Sequence, residues 1–238
     1  MWCFWSAKGG VGCTVVAAGV ALGLAAERPT LLVDLGGDLP SMFGREVEGP
    51  GMADWLVAPA APLDALSRLE VDVGHNLTVL PWLGPEPAPA ASGTVEPPDR
   101  WSEPVDVLAE IVALDHRAVV VDVGRRSQHQ ASDGGLSARE HLADRLLALA
   151  ARSTLVTRPC ALAVGAADRF PSADEVIVVG RQTRTFGAKE VQHALSVPVS
   201  ASVRWDPAVA RAVDAGGLAK ELPRALRVLT PLTEAAVA

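Results

Sequence analysis

The chain has 238 residues, 49% of them hydrophobic and 21% charged, which is the balance of a folded globular protein and not of a disordered tail. This length suits one large α/β domain, so we predict a single domain over residues 1–238. The net charge of −7 is uneven, because residues 34–115 hold 15 acidic and 3 basic side chains while the rest of the chain is mildly basic.

The cysteines and the apolar segments of the sequence indicate in which cellular compartment the protein is expected. The three cysteines are widely spaced and suggest neither a disulfide framework nor a zinc site, which favours a reducing environment. Lys8 precedes any apolar segment that could serve as the core of a signal peptide. The longest apolar run, Val15 to Ala26, has 12 residues, whereas a membrane-spanning helix needs about 20. We therefore expect a cytoplasmic protein.

Short runs rich in Val, Leu and Ile alternate with helix-like segments, a pattern typical of βαβ units. The predicted strands are Trp2–Ser6, Thr30–Leu35, Leu77–Trp82, Ala118–Val123, Ser153–Thr157, Glu175–Val179 and Val197–Val203. The predicted helices are Cys13–Glu27, Gly51–Val57, Leu63–Leu69, Val105–Leu114, Ala138–Ala151, Cys160–Asp168, Ala188–Leu195, Pro207–Ala215 and Leu222–Ala236. The predicted fold class is α/β, a doubly wound, mostly parallel sheet with helices on both faces.

Two loops interrupt this alternation. Residues 84–104 are rich in proline and are expected to form an extended surface loop, and the strand pattern resumes after it. Arg125 to Gly135 is polar and follows a strand end, where ligands of open α/β sheets bind. A set of arginines could form a basic stripe for nucleic acid if the fold gathers them, or could be scattered over the surface. These are Arg125, Arg126, Arg139, Arg145, Arg152 and Arg158.

The segment Ala7-Lys8-Gly9-Gly10-Val11-Gly12-Cys13-Thr14 lies between the first strand and the first helix. Its glycines permit positive φ angles, so successive backbone N–H groups can turn towards an anion. The helix start adds free N–H groups and the positive end of its dipole. The hydroxyl of Thr14 is placed to hold Mg²⁺. This order predicts a phosphate-binding loop, with a tight turn that binds no ligand as the alternative.

The loop resembles the deviant Walker A loop of the ParA/MinD group of P-loop ATPases, which reads K-G-G-x-G-K-[ST]. Residues Lys8 to Gly12 and Thr14 match this pattern, and Cys13 replaces its second lysine. The resemblance implies a P-loop NTPase fold, binding of ATP or ADP by residues 8–14 including Val11, and a homodimer in which Lys8 reaches the partner's nucleotide. It also implies weak or absent hydrolysis, because Cys13 cannot neutralise phosphate oxygens. A redox role for Cys13, with a pKa lowered by the helix start, is an alternative.

The resemblance extends to two further aspartates. Asp34 ends the second predicted strand and corresponds to the first aspartate of the family's Asp-x-Asp switch region, whose second aspartate falls on Gly36. The family pattern implies a catalytic role for Asp34 and contact with Mg²⁺ waters or with Lys8. The alternative is that Asp34 and Asp38 are plain loop-capping carboxylates. Asp122 ends a run of apolar residues and resembles a Walker B aspartate that binds Mg²⁺ through water. By the same resemblance, Trp205 and Asp206 lie near the adenine.

The family resemblance implies a nucleotide-dependent switch or scaffold that positions or partitions chromosomes, pili or other assemblies with the help of a protein partner. The missing lysine is similar to the atypical loops of the pilus-localising TadZ/CpaE members. A nucleotide-free pseudo-ATPase that serves as an interaction module and an amidoligase-like enzyme of cofactor synthesis are the alternatives. Non-specific DNA is a candidate partner. Membrane binding is disfavoured, because the tail from Leu222 to Ala238 holds only two arginines and no aromatic residue.

Overall fold

A computed structural model describes residues 1–58, 63–84, 102–126, 137–171, 173–181 and 186–235. Most of the proline-rich loop predicted over residues 84–104, and most of the polar loop predicted after Arg125, lie outside these ranges. None of the helices within the described ranges is both long and apolar enough to cross a membrane.

The described strands form one sheet of eight. They are β1 (Trp2–Ser6), β2 (Thr30–Asp34), β3 (Val71–Gly74), β4 (Leu77–Pro81), β5 (Ala118–Arg125), β6 (Arg152–Thr157), β7 (Glu175–Val179) and β8 (Val199–Val203). Their order across the sheet is β3-β4-β2-β5-β1-β6-β7-β8, and every pairing is parallel except the β3–β4 hairpin. The carboxyl ends of seven strands therefore meet at one edge of the sheet.

The helices that the structure describes are α1 (Cys13–Ala25), α2 (Leu39–Met42), α3 (Met52–Val57), α4 (Ser102–Ala113), α5 (Ala138–Leu149), α6 (Ala161–Ala167), α7 (Ala188–Leu195), α8 (Pro207–Asp214) and α9 (Thr230–Ala235). Two further segments, Leu63–Leu69 and Arg224–Leu229, are 3₁₀ turns.

Two apolar cores lie on opposite faces of the sheet. Because successive side chains of a strand point to opposite faces, Cys3 and Trp5 of β1 enter one core while Trp2 and Phe4 enter the other. Helices α3 to α7 contribute to the first core, and α1 and α2 contribute to the second. The doubly wound, mostly parallel sheet with helices on both faces is therefore confirmed.

The C-terminal segment packs closely on α1 through two glycines. A Cβ atom on Gly19 would lie 3.1 Å from Cδ1 of Leu229, and one on Gly23 would lie 3.1 Å from Cγ2 of Thr233. This contact covers the face of α1 that points away from the sheet, which explains why α1 is apolar on all sides.

The sequence prediction missed two elements and mistook the type of two others. β3 and α2 were not predicted; each has only four residues, too few for a periodic pattern to show. The predicted helix Leu63–Leu69 is a 3₁₀ turn, and the predicted helix from Leu222 begins as one before α9. The remaining predicted elements are present with ends shifted by no more than a few residues.

The six arginines do not form one basic stripe. Arg152 begins β6 and Arg158 follows its end, so they lie at opposite edges of the sheet. Four of the six are engaged individually: Arg126 pairs with Asp144 at 2.7 Å, Arg145 pairs with Asp106, Arg152 pairs with Glu175 at 2.5 Å, and Arg139 stacks on Trp82. The stripe interpretation is therefore wrong for this fold.

Candidate functional site

The glycine-rich loop connects β1 to α1 at the carboxyl edge of the sheet. Gly10 and Gly12 adopt φ angles of 69° and 96°, which side chains other than glycine rarely tolerate. Gly12 caps α1, and its carbonyl accepts the first helical hydrogen bond, from the N–H of Val16 at 3.0 Å. The N–H groups of the first helical turn thus have no partner within the helix. This is the geometry that a phosphate-binding loop requires.

Cys13 is the first residue of α1, and its side chain is buried. Burial raises the pKa of this thiol well above its ordinary value, and the neighbouring carboxylate of Asp122 raises it further. The alternative of a redox-active Cys13 with a pKa lowered by the helix start is therefore not supported, because desolvation and the nearby negative charge outweigh the helix dipole. A neutral, buried thiol stands where the family pattern has a lysine.

Thr14 and Asp122 lie together beside the loop. Asp122 is fully buried, and burial raises the pKa of its carboxyl to about 6, while the nearby Thr14 hydroxyl, Gly124 N–H and Cys13 thiol lower it in part. Oδ1 accepts a hydrogen bond from the N–H of Gly124 at 3.0 Å, but Oδ2 has no hydrogen-bond partner among the described residues. A buried carboxylate beside a threonine hydroxyl fits a hydrated Mg²⁺.

Asp34 lies beside Asp122 at the end of the neighbouring strand, since β2 and β5 pair in register at these two residues. Its Oδ1 accepts hydrogen bonds from the N–H groups of Gly36 and Gly37 at 2.9 and 2.7 Å, and its Oδ2 accepts one from Leu39 at 2.9 Å. These contacts are those of a carboxylate that stabilises the turn into α2. Contact of Asp34 with Mg²⁺ waters stays a prediction.

Gly36 lies between the two carboxylates. A Cβ atom added to Gly36 would be 3.4 Å from Oδ1 of Asp34 and 3.8 Å from Oδ2 of Asp122. The position that carries the second switch aspartate in the family pattern therefore faces the site, but in this chain it offers no carboxylate to orient a water molecule.

Lys8 is exposed at the start of the loop. An exposed lysine at the carboxyl edge of the sheet is free to meet a second molecule, as the family pattern implies. Its contact with a partner's nucleotide stays a prediction.

A cavity of about 280 Å³ lies between the loop and α8. Gly10, Val11 and Gly12 line one side, and Trp205 and Asp206 line the other. Trp205 is 55% exposed, and Oδ1 of Asp206 accepts a hydrogen bond from the N–H of Ala208 at 2.8 Å, which caps α8. The structure brings both residues to the cavity that the loop borders. Their contact with adenine stays a prediction.

The two aspartates give a pH prediction. Burial, together with their mutual repulsion in the case of Asp34, raises the pKa of Asp34 to about 7 and that of Asp122 to about 6, from 3.8. The folded chain then binds protons that the unfolded chain has already released, so stability is gained at low pH and lost as the pH rises through 6 and 7. We expect the metal-free protein to be more stable at pH 5.5 than at pH 7.5 by roughly 2–3 kcal/mol, measured by urea unfolding.

Asp122→Asn provides the comparison for this pH effect. It removes one titrating carboxyl and the negative charge that raises the pKa of Asp34, so the pH dependence is expected to shrink to about half or less. An equal pH dependence in the two proteins would contradict the assignment.

A strand, a turn of left-handed glycines and a helix, set beside a strand that carries a buried aspartate near its carboxyl end, define the P-loop type of nucleotide-binding fold. The chain has the fold of the ParA/MinD group of P-loop ATPases. It is similar over 98% of its length, and 98% of the other chain, to a ParA family ATPase from Chlorobium tepidum, with a TM-score of 0.71 and 20% identity. The family resemblance is confirmed at the level of the fold.

Two other solved structures show the same fold. MinD from Pyrococcus horikoshii, solved in complex with Mg-ADP, is 18% identical with a TM-score of 0.65 over 99% of this chain and 95% of that one. MinD from Aquifex aeolicus, solved in complex with MinC, is 15% identical with a TM-score of 0.69 over 100% and 96%. The sequence matches no protein-family model and no curated protein sequence.

Sequence reasoning missed one basic residue at the loop. The guanidinium of Arg158 donates a hydrogen bond through Nη2 to the carbonyl oxygen of Gly10. The two residues are 148 positions apart, so only the pairing of β1 with β6 brings them together. The one available signal was that Arg158 follows a predicted strand.

Proposed function

We propose that this protein binds ATP or ADP with Mg²⁺ and acts as an intracellular switch or scaffold that positions or partitions a larger assembly, with slow or no ATP hydrolysis. The loop supports the proposal most strongly, because Gly10 and Gly12 turn its backbone at the start of α1, directly beside the buried carboxylate of Asp122. Main-chain amides and a helix start bind phosphate without any side chain.

The proposed nucleotide lies along the edge of the sheet. Residues 8–14 hold its phosphates, and the cavity bordered by Trp205 and Asp206 accommodates its base. Thr14 and Asp122 hold Mg²⁺, directly or through water. The carboxylate of Asp34, next to that of Asp122, adds negative charge that attracts the metal ion. The bound metal neutralises the two buried carboxylates, which otherwise repel each other.

Hydrolysis is proposed to be slow for two reasons that act on different parts of the reaction. Cys13 supplies no charge to the phosphate oxygens, and Gly36 supplies no carboxylate to orient water. Loss of one positioned cation at a phosphoryl group lowers the rate by about 10²–10³-fold in comparable sites. A slow ATPase holds its nucleotide-bound state for longer, which suits a scaffold.

The output state is proposed to be a nucleotide-dependent homodimer that recruits a protein partner. A switch needs a different affinity for its partner in each nucleotide state. The test is the molar mass of the protein with Mg-ATP, with Mg-ADP and without nucleotide, measured by light scattering after size exclusion. A dimer only with Mg-ATP supports the proposal, and an ATP-independent mass contradicts it.

A nucleotide-free interaction module is the second candidate. The buried, neutral thiol of Cys13 favours it, since a chain that no longer binds phosphate has no need for a cation at this position. Mass-spectrometric analysis of the purified protein separates the two candidates, because a bound ATP or ADP molecule refutes the second.

Non-specific DNA is a further proposed partner, and its test depends on salt. Retention on duplex DNA, if it belongs to the switch, is expected to require ATP and to fall steeply between about 50 and 200 mM salt, because phosphate contacts release counterions. Retention that is absent or independent of salt would remove DNA from the proposed partners.

A further inference from the structure

Positive charge near the loop comes from a strand other than β1. Arg158 directly follows β6, which pairs in parallel with β1 from Trp2–Arg152 to Trp5–Leu155. The carboxyl ends of the two strands therefore lie side by side, and Arg158 reaches the loop across this gap. Its Nη2 donates a hydrogen bond to the carbonyl oxygen of Gly10, inside the glycine-rich segment.

We propose that Arg158 supplies the nucleotide phosphates with the positive charge that Cys13 does not provide. This inference rests on the proposed nucleotide binding. The guanidinium of Arg158 is hydrogen-bonded to the phosphate-binding loop. Arg158 also lines the cavity that Gly10, Val11 and Gly12 border. The loop thus retains a cation, held by β6 instead of by α1.

The chemistry of arginine suits this role. A guanidinium has five N–H donors, so the bond to Gly10 leaves others for phosphate oxygens. Its planar arrangement of donors matches two oxygens of a phosphate. The guanidinium also stays charged at every physiological pH. Arg158 also lines a second cavity of about 520 Å³, together with Gly180, Arg181 and Trp205, so its side chain forms the wall between the two spaces.

Two of the neighbouring cations, Arg126 and Arg181, are engaged with other partners. Arg126 is paired with Asp144 at 2.7 Å, and its guanidinium stacks over the rings of Trp5 and Phe170. The guanidinium of Arg181 stacks over the ring of Trp205 at 5.7 Å from its centroid. Neither of these contacts is with the loop, whereas the guanidinium of Arg158 is hydrogen-bonded to the loop itself.

The test compares nucleotides that differ in their number of phosphates. Dissociation constants of Mg-ATP, Mg-ADP and AMP are measured by calorimetry for wild type, Arg158→Ala and Arg158→Lys. Arg158→Ala is expected to weaken Mg-ATP by about 10- to 100-fold, the range of a charge-assisted hydrogen bond. AMP is expected to change by less than about 3-fold, and Arg158→Lys is expected to recover part of the ATP affinity.

Arg211→Ala is the matched control. Arg211 is an exposed arginine on α8 that does not line the cavity beside the loop, so its replacement removes the same unit of charge from a nearby surface. An equal loss of ATP affinity in Arg211→Ala and Arg158→Ala would reduce the effect to general electrostatics and overturn the proposal.

A double variant tests whether Arg158 substitutes for the missing lysine. Added to Arg158→Ala, Cys13→Lys is expected to restore most of the lost ATP affinity. In the wild-type background, the same substitution is expected to raise the ATP affinity by a smaller factor. Failure to restore it, unchanged ATP affinity in Arg158→Ala, or an AMP loss as large as the ATP loss would each overturn the role of Arg158. If wild type binds no nucleotide, the proposed function itself fails together with this inference; if wild type binds and Arg158→Ala binds equally well, only the inference fails.

Discussion

Replacement of Cys13 by lysine is expected to raise ATP turnover by about 10²-fold or more. Cys13 begins α1 at the end of the glycine-rich loop, so a lysine there occupies the position of the second lysine in the family pattern. The Cys13 side chain is buried beside the carboxylate of Asp122, which offers a counter-charge to a lysine at this position. The measurement is phosphate release at saturating Mg-ATP, with both proteins brought to the same nucleotide occupancy.

Cys13→Met is the control for this prediction, because methionine has a length close to that of lysine but carries no charge. Its turnover is expected to stay at the wild-type level. Equal turnover in the lysine and methionine variants, with ATP bound to both, would show that charge at this position does not limit hydrolysis. The limit would then lie at Gly36 or elsewhere.

Replacement of Lys8 by alanine is expected to abolish the ATP-dependent dimer while leaving nucleotide binding largely intact. The lysine is exposed at the sheet edge and is proposed to meet the phosphates bound to the partner molecule. Removing one member of a charge pair that is buried at an interface costs about 2–5 kcal/mol, or roughly 30-fold or more in the dimer dissociation constant. Sedimentation velocity with Mg-ATP measures this constant.

Lys189→Ala is the matched control for the dimer, since Lys189 is an exposed lysine on α7, which packs on the face of the sheet opposite to α1. It is expected to dimerise as wild type does. An ATP-dependent dimer of unchanged strength in Lys8→Ala would contradict the proposed contact, and a loss of nucleotide binding in the monomer would place Lys8 in its own site instead.

The strands were predictable because they are short, buried and rich in β-branched residues, and β1 and β7 have the predicted ends. The loop was predictable because Gly10 and Gly12 are needed for its positive φ angles, and this need is local in sequence. The placement of Asp122 beside the loop followed from its position near the carboxyl end of a predicted parallel strand. Features that depend on neighbouring residues in the sequence could therefore be predicted.

Features that depend on contacts between distant parts of the chain could not be predicted from the sequence. The pKa of the Cys13 thiol is raised by burial and by Asp122, which is more than one hundred residues away in sequence. The local helix dipole alone would have indicated a lowered pKa. The sequence left open whether six arginines form one basic stripe; in the fold they are divided between the two edges of the sheet, and three of them, Arg126, Arg145 and Arg152, pair with acidic side chains. The contact of Arg158 with Gly10 likewise exists only once β1 and β6 are paired.

The most direct measurement is a calorimetric titration of the wild-type protein with Mg-ATP and with Mg-ADP, at low salt and at a protein concentration of about 50 µM, which suits micromolar binding. Saturable heat for one nucleotide per chain is expected, because main-chain amides and the start of α1 bind phosphate although Cys13 has replaced the lysine. Absence of binding up to millimolar nucleotide would contradict the account, since the loop would then be a turn without a ligand.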